Sequence, residues 1–185
     1  MLSLAEIKRG KVIVLNGEPY QVVDNVFGKQ ARGGGVMKTK VKNLLSGKVR
    51  SYTFKGNDQA EEADVSYHHC QYLYESDGEL HFMNNQTFDQ FTLPSEQLGP
   101  SVQFMVEGSE VDVMYFNDKP VGINLPAKVE LKVVEAPPGI KGDTATGATK
   151  QIKMETGYTL NVPLFINEGD IIRINTDTGE YVERV

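Results

Sequence analysis

The sequence predicts an all-β chain arranged as three small barrels in a row, and three observations carry that prediction. Apolar and polar residues alternate in short runs along the 185 residues, the period of half-buried strands. Eighteen glycines and eight prolines punctuate those runs, and no segment sustains the 3.6-residue stripe of an amphipathic helix. The acidic, polar run "NDQAEEAD" (57–64) interrupts the pattern, and a fresh set of strands begins near residue 128. The expected units are 1–63, 64–127 and 128–185.

In the first unit, "KVIVLNGEPYQVV" places Asn16-Gly17 between two apolar runs, the signature of a tight hairpin turn that needs positive φ. "VMKTKVKNLLSGKVRSYTF" reads as two more strands joined near Ser46-Gly47, with Lys38, Lys40 and Lys42 on one face and Met37, Thr39 and Val41 on the other. In the second, "VSYHHCQYLYES", "ELHFMN" and "SEVDVMYFNDKPVGINL" are again short strands. "SEQLGPSVQFMVEG" is a helical stretch kept short by Gly99 and Pro100. In the third, "KVELKVVEA", "YTLNVPLFI", "DIIRINT" and "EYVERV" are strands, and the loop "PPGIKGDTATGATK" (137–150) is long for a compact domain, a length that marks a loop as functional or disordered. No fixed-period repeat is visible.

Several function classes lack support. The single cysteine, Cys70, excludes an internal disulfide and fits a reducing compartment. "MLSLAEIKRGK" has no apolar signal-peptide core, and no apolar run approaches the roughly 18 residues of a membrane span. A cytoplasmic protein without membrane contact is expected. His68, His69 and Cys70 are adjacent, but strand neighbours face opposite ways and cannot converge on one ion. No metal or cofactor is expected. The triple glycine lacks the spacing of a phosphate-binding P-loop, and no G-x-S-x-G elbow or acid/base pair marks an enzyme.

The net charge of −6 conceals an asymmetry. Residues 1–56 carry eleven Lys/Arg against three acids, a balance of +8, which leaves −14 for the rest. That pattern suits a polyanion-binding module on an acidic body; a solvated basic face with no partner is the other reading. The stretch "KQARGGGVMKTKVK" (29–42) sharpens the point. Lys29 and Arg32 lie between two strands, one ending near Val26 and one starting near Val36, on a hairpin tip that Ala31, Gly33, Gly34 and Gly35 would leave almost without bulk. A thin ribbon fits a narrow cavity, and an arginine supplies a permanent planar charge for phosphates and base edges. Lys38, Lys40 and Lys42 could track a phosphate backbone alongside. A mobile glycine-rich loop is the bland alternative.

The chain resembles the bacterial elongation factor P family along essentially its whole length. The resemblance rests on "NGEPYQVV" (16–23), "TKVKNLLSGKV" (39–49), "FMNNQTFDQ" (82–90), "PPGIKGDTATG" (137–147) and "TGEYVERV" (178–185), in that order and spacing. It implies an SH3-like (KOW-like) first domain and two OB-like domains in an L shape like that of tRNA. The implied function is to bind the ribosome, through ribosomal RNA of both subunits, between the peptidyl and exit sites. There such a factor stimulates peptide-bond formation at consecutive prolines. The family's functional tip residue falls on Arg32, beside the acceptor end of peptidyl-tRNA. Gly142, Asp143 and Thr144 fall on a loop near the exit-site codon. Tyr181 and Arg184 match a C-terminal motif that meets RNA, although Tyr181 also suits a barrel cap.

The tip departs from the commonest family pattern, Pro-Gly-Lys-Gly, and reads Gln30-Ala31-Arg32-Gly33. Arginine cannot take the lysine modification. One branch of the family attaches rhamnose to an arginine there, implying a modifying enzyme as partner, and a paralogue group carries an Ala-Arg-Gly tip with no implied modification. Lys29 is the weaker candidate for modification. The chain is expected to act as a monomer. The rival reading is a general single-stranded nucleic-acid binder using its OB-like barrels, although the basic segment offers only Phe27, Tyr52 and Phe54 for stacking.

Overall fold

The computed structural model describes residues 1–30, 34–139 and 147–185. It shows three five-stranded antiparallel sheets in succession. The first comprises β1 (Val12–Leu15), β2 (Glu18–Gln30), β3 (Gly34–Asn43), β4 (Val49–Lys55) and β5 (Glu61–Glu62), in the order β4-β3-β2-β1-β5. Asn16 and Gly17 adopt φ 54° and 80° between the paired residues Leu15 and Glu18, the mirror-image turn expected from their types. The acidic run does more than separate domains. Glu61 and Glu62 pair with Val14 and Ile13, Ala60 and Ala63 on either side are buried, and Lys11 Nζ reaches Glu62 at 2.6 Å.

The second sheet comprises β6 (Val65–Ser76), β7 (Glu79–Asn84), β8 (Gln90–Pro94), β9 (Glu110–Phe116) and β10 (Lys119–Asn124), ordered β10-β9-β6-β7-β8. One helical turn, α1 (Ser95–Leu98), follows β8 and continues as a 3₁₀ segment through Phe104, with Gly99 at φ 64° where the helix changes character. The third sheet comprises β11 (Lys128–Glu135), β12 (Thr149–Met154), β13 (Thr159–Pro163), β14 (Ile171–Asn175) and β15 (Tyr181–Arg184), ordered β13-β12-β11-β14-β15. Each sheet has its own apolar cluster. Ile7, Ile13, Val22 and Val41 lie at the centre of the first, Leu80, Phe82 and Val113 of the second, and Val133, Met154, Ile172 and Ile174 of the third.

One turn is built three times on an Asn-x-x-Ser/Thr pattern that recurs without a fixed period. In 43–48, 84–89 and 175–180 an asparagine donates its N–H to the carbonyl of the sixth residue and accepts at its own carbonyl from the N–H of the fifth. In each, its Oδ1 accepts from the N–H groups two and three residues on: Leu45 and Ser46, Gln86 and Thr87, Asp177 and Thr178. The fifth residue has positive φ each time: Gly47 (73°), Phe88 (62°) and Gly179 (73°).

The first sheet is fixed to the second by a tight joint. Val12, Leu44, Ala63, Met114 and Val121 form a buried cluster that draws on both. Gln97 Nε2 donates to the carbonyls of Leu44 (2.6 Å) and Val121 (2.9 Å), so one amide ties α1 to both sheets. The third sheet is held differently. Phe104 leaves the 3₁₀ segment to be buried in the third cluster, edge-on to Tyr158, and an exposed Arg9–Asp177 ion pair (3.0 Å) links the first sheet to the third.

Candidate nucleic-acid interface

The β2–β3 ribbon runs farther than the sequence suggested. Its ladder continues from Tyr20–Asn43 to Gln30–Gly34 rather than stopping at Val26 and Val36. Main-chain pairing does not need side chains, so Gly28, Gly34 and Gly35 extend the ribbon while thinning it. Thirteen residues of β2 span roughly 40 Å. The root is rigid: Tyr20, Val22, Val41 and Phe54 are buried, and the buried Thr39 donates its hydroxyl to the Tyr52 carbonyl at 2.8 Å. The outer part is exposed from Val26 to Lys29 on β2. Arg32 and Gly33, at the expected functional tip, lie outside the described residues, as do Gly142, Asp143 and Thr144 of the long loop.

Strand alternation sorts the charged side chains. Lys38 and Lys40 are exposed on one face, opposite Val26 and Asp24, while Met37, Thr39 and Val41 turn into the core. Lys29 lies on the other face, exposed, two residues beyond Phe27. Gly34 is exposed at the start of β3 with φ 78°.

Lys42 departs from the set in which the sequence placed it. It follows Lys38 and Lys40 on the same face, but α1 packs there. Its Nζ donates to the Leu98 carbonyl at 3.2 Å, and burial lowers its pKa below the usual lysine value. This ammonium serves the joint between sheets, and the alternating pattern could not show it, because alternation reveals a face and not what covers it. In the sequence Gln97 and Gly47 likewise stand only as parts of a helix and a turn. Gly47 is held by sterics as well as φ, since a Cβ there would lie 2.8 Å from the Glu96 carbonyl oxygen.

At the chain's end, Tyr181 and Arg184 come to one side of the sheet. A bulge lets Tyr181 pair with Ile174 and Arg184 with Ile172, two buried residues of the same face. Tyr181 packs half-buried against the third cluster. The exposed Arg184 guanidinium sits 5.5 Å from the Phe165 ring centroid and 3.7 Å from the Asp170 carboxylate, a cation displayed at the rim.

The His-His-Cys run has ordinary strand surroundings. His68 stacks on Tyr115 (4.4 Å), His69 Nδ1 meets Asp112 Oδ1 at 2.5 Å, and Cys70 points into the second core. Burial, with Asp112 nearby, pushes the Cys70 thiol up to about 11, so it stays protonated and unreactive at neutral pH. Among the described residues no group of three or more His, Cys, Asp or Glu could hold a metal, and no helix is long and apolar enough to cross a membrane.

Three family models match the chain in order. They are the elongation factor P KOW-like domain over residues 3–60, its OB domain over 65–123, and its C-terminal domain over 129–184. Curated relatives match end to end. Elongation factor P of Symbiobacterium thermophilum is 42% identical over 184 residues, and that of Carboxydothermus hydrogenoformans 40% over 185, with all of both chains covered in each case. Among solved structures, eukaryotic translation initiation factor 5A from Methanococcus jannaschii aligns with 66% of this chain and 94% of its own. Its TM-score of 0.47 and 16% identity are too low to carry an argument.

Proposed function

The chain belongs to the elongation factor P family of translation factors, and from that premise we propose that it binds the ribosome between the peptidyl and exit sites and stimulates peptide-bond formation at consecutive prolines. The observation that carries the reading is the ribbon: a long, thin, glycine-bordered hairpin, braced at its root and basic along its exposed half. Arg32 would stand at its end, beside the acceptor end of peptidyl-tRNA, bare or carrying a modification added by a dedicated enzyme. Lys29, Lys38 and Lys40 support it by meeting phosphates, with Gly33 and Gly34 allowing close RNA approach. Gly142, Asp143 and Thr144 would meet the small subunit, and Arg184, with Tyr181 beneath it, a further RNA surface. We place the domain boundaries at 1–63, 64–127 and 128–185, a division supported by the one sheet that falls in each unit. The factor works in the cytoplasm as a monomer, positioning the reactants rather than catalysing a reaction of its own.

Equilibrium binding to ribosomes and to short single-stranded RNA, each over a range of salt, tests the reading. With about five cations on phosphates (Lys29, Arg32, Lys38, Lys40 and Arg184), log affinity for ribosomes should fall against log salt with a slope on the order of −4 to −5, and ribosomes should be strongly preferred. Salt-independent binding contradicts the proposal. A preference for short single strands would favour a general single-strand binder instead.

A further inference from the structure

A second feature lies on the ribbon face that does not carry Lys38 and Lys40. Phe27 on β2 is 51% exposed, yet its position is defined. The ring leans over Gly35, where a Cβ would come within 2.9 Å of ring carbons Cε2 and Cζ, with Leu4 closing behind. Any other residue at position 35 would push the ring away. On β4's side the floor stays bare, because Gly56 donates its N–H to the Gly35 carbonyl at 2.9 Å and adds no side chain. The result is a cleft of about 620 Å³ with an aromatic wall, a glycine floor, and Asn57 and Gln59 on the far side. Lys29 stands on the same face, two residues toward the tip. Asp58, the carboxylate at this cleft, already accepts the Lys55 N–H at 2.8 Å.

We propose that this cleft is a nucleotide subsite that takes one unpaired RNA base against Phe27, with Lys29 meeting the adjacent phosphate. An aromatic face, amide groups able to read a base edge, and a flanking cation are what an extruded base needs. The base must be unpaired, because both faces of a base in a duplex are already stacked. The basic balance of residues 1–56 favours RNA over a protein occupant. This inference rests on the RNA-binding reading above, but concerns a different residue from the tip.

Two measurements test it. Ribosome affinity is compared for the full-length wild type, Phe27→Tyr and Phe27→Leu. Tyrosine keeps a stacking ring, whereas leucine keeps apolar packing over Gly35 without one. Stacking predicts near wild-type affinity for Phe27→Tyr and a loss of about 5- to 100-fold for Phe27→Leu. Equal affinities, or equal losses in both variants, overturn the proposal in favour of a packing role. Independently of ribosomes, Phe27→Trp supplies the only tryptophan in a chain that has none. Its fluorescence should be quenched by single-stranded oligoadenylate and unchanged by an RNA duplex of the same length. Absence of quenching by the single strand overturns the subsite. If ribosome binding fails while quenching is seen, the ribosomal reading falls and the subsite stands.

Discussion

The turn at 43–48 and the turn at 84–89 share their backbone hydrogen bonds and differ in what covers them. In the first, Gly47 lets α1 press against the main chain, and the contact helps fix the first sheet to the second. In the second, Phe88 occupies the same left-handed position with its ring 69% exposed. The third copy, at 175–180, sides with the first: Gly179 leaves room for Tyr158, whose hydroxyl donates to the Gly179 carbonyl at 2.9 Å. One framework is therefore used in two ways. Where a neighbour docks on the turn, glycine is required by both φ and space; where nothing docks, a side chain tolerates the strain.

The strongest way to break this comparison is Gly47→Ala. Its Cβ would meet the Glu96 carbonyl oxygen at 2.8 Å and the Gln97 Cα at 3.0 Å, with φ at 73°. Backbone strain plus overpacking should cost about 2–4 kcal/mol, read as a shift in denaturant midpoint. Gly179→Ala should cost less, about 1–3 kcal/mol, because the obstacle is the movable end of the Tyr158 side chain. Phe88→Gly reverses the sign: relief of left-handed strain offsets the entropy gained by the unfolded chain. Stability should rise by up to about 1 kcal/mol. A marked loss there would mean that the ring packs more than its exposure implies.

Lys42→Met is the mildest probe of the covered turn. It removes the hydrogen bond to Leu98 and also the cost of burying an ammonium, so stability near pH 7 should change by no more than about 1 kcal/mol. The pH dependence is more telling. Because burial lowers the native pKa of Lys42 below its unfolded value, the unfolded chain binds more protons between the two. This residue therefore makes stability rise with pH as the solution passes from the lowered native value toward the ordinary 10.5. Urea stability titrated through the alkaline range should show this as a difference: the wild type gains stability relative to Lys42→Met as pH rises, while the opposing contribution of the buried Cys70 thiol is common to both.

Much of this was legible in the residues. Asn16-Gly17 announced its hairpin, and the alternation of Lys38 and Lys40 with Met37, Thr39 and Val41 correctly separated outside from core. The helix in "SEQLGPSVQF" was foreseen as short because Gly99 and Pro100 interrupt it. What escaped was whatever depends on a distant partner. Lys42 looked like its fellow lysines until α1 covered it. Glu61 and Glu62 looked like a linker because an exposed edge strand needs no apolar alternation. The repeated turn was hard to see because only the asparagine and a hydroxyl three residues on recur, at uneven intervals: Leu-Leu-Ser, Asn-Gln-Thr and Thr-Asp-Thr give the same backbone through main-chain and Oδ1 hydrogen bonds, with Ser46, Thr87 and Thr178 each accepting the N–H of the sixth residue. The half-exposed Phe27 needed Gly35 and Gly56 in place before it could be seen as a wall.

The central claim is that a braced root presents a thin basic tip to the reaction centre of the ribosome. Its most direct test is the rate of Pro-Pro-Pro synthesis in a reconstituted translation system. Protein purified from its native source, which retains any modification, is compared with Arg32→Ala and with no factor, alongside their ribosome affinities. The account predicts marked acceleration by the native protein, and near-normal ribosome binding without acceleration by Arg32→Ala. Full acceleration by Arg32→Ala despite a tenfold loss of affinity would contradict it.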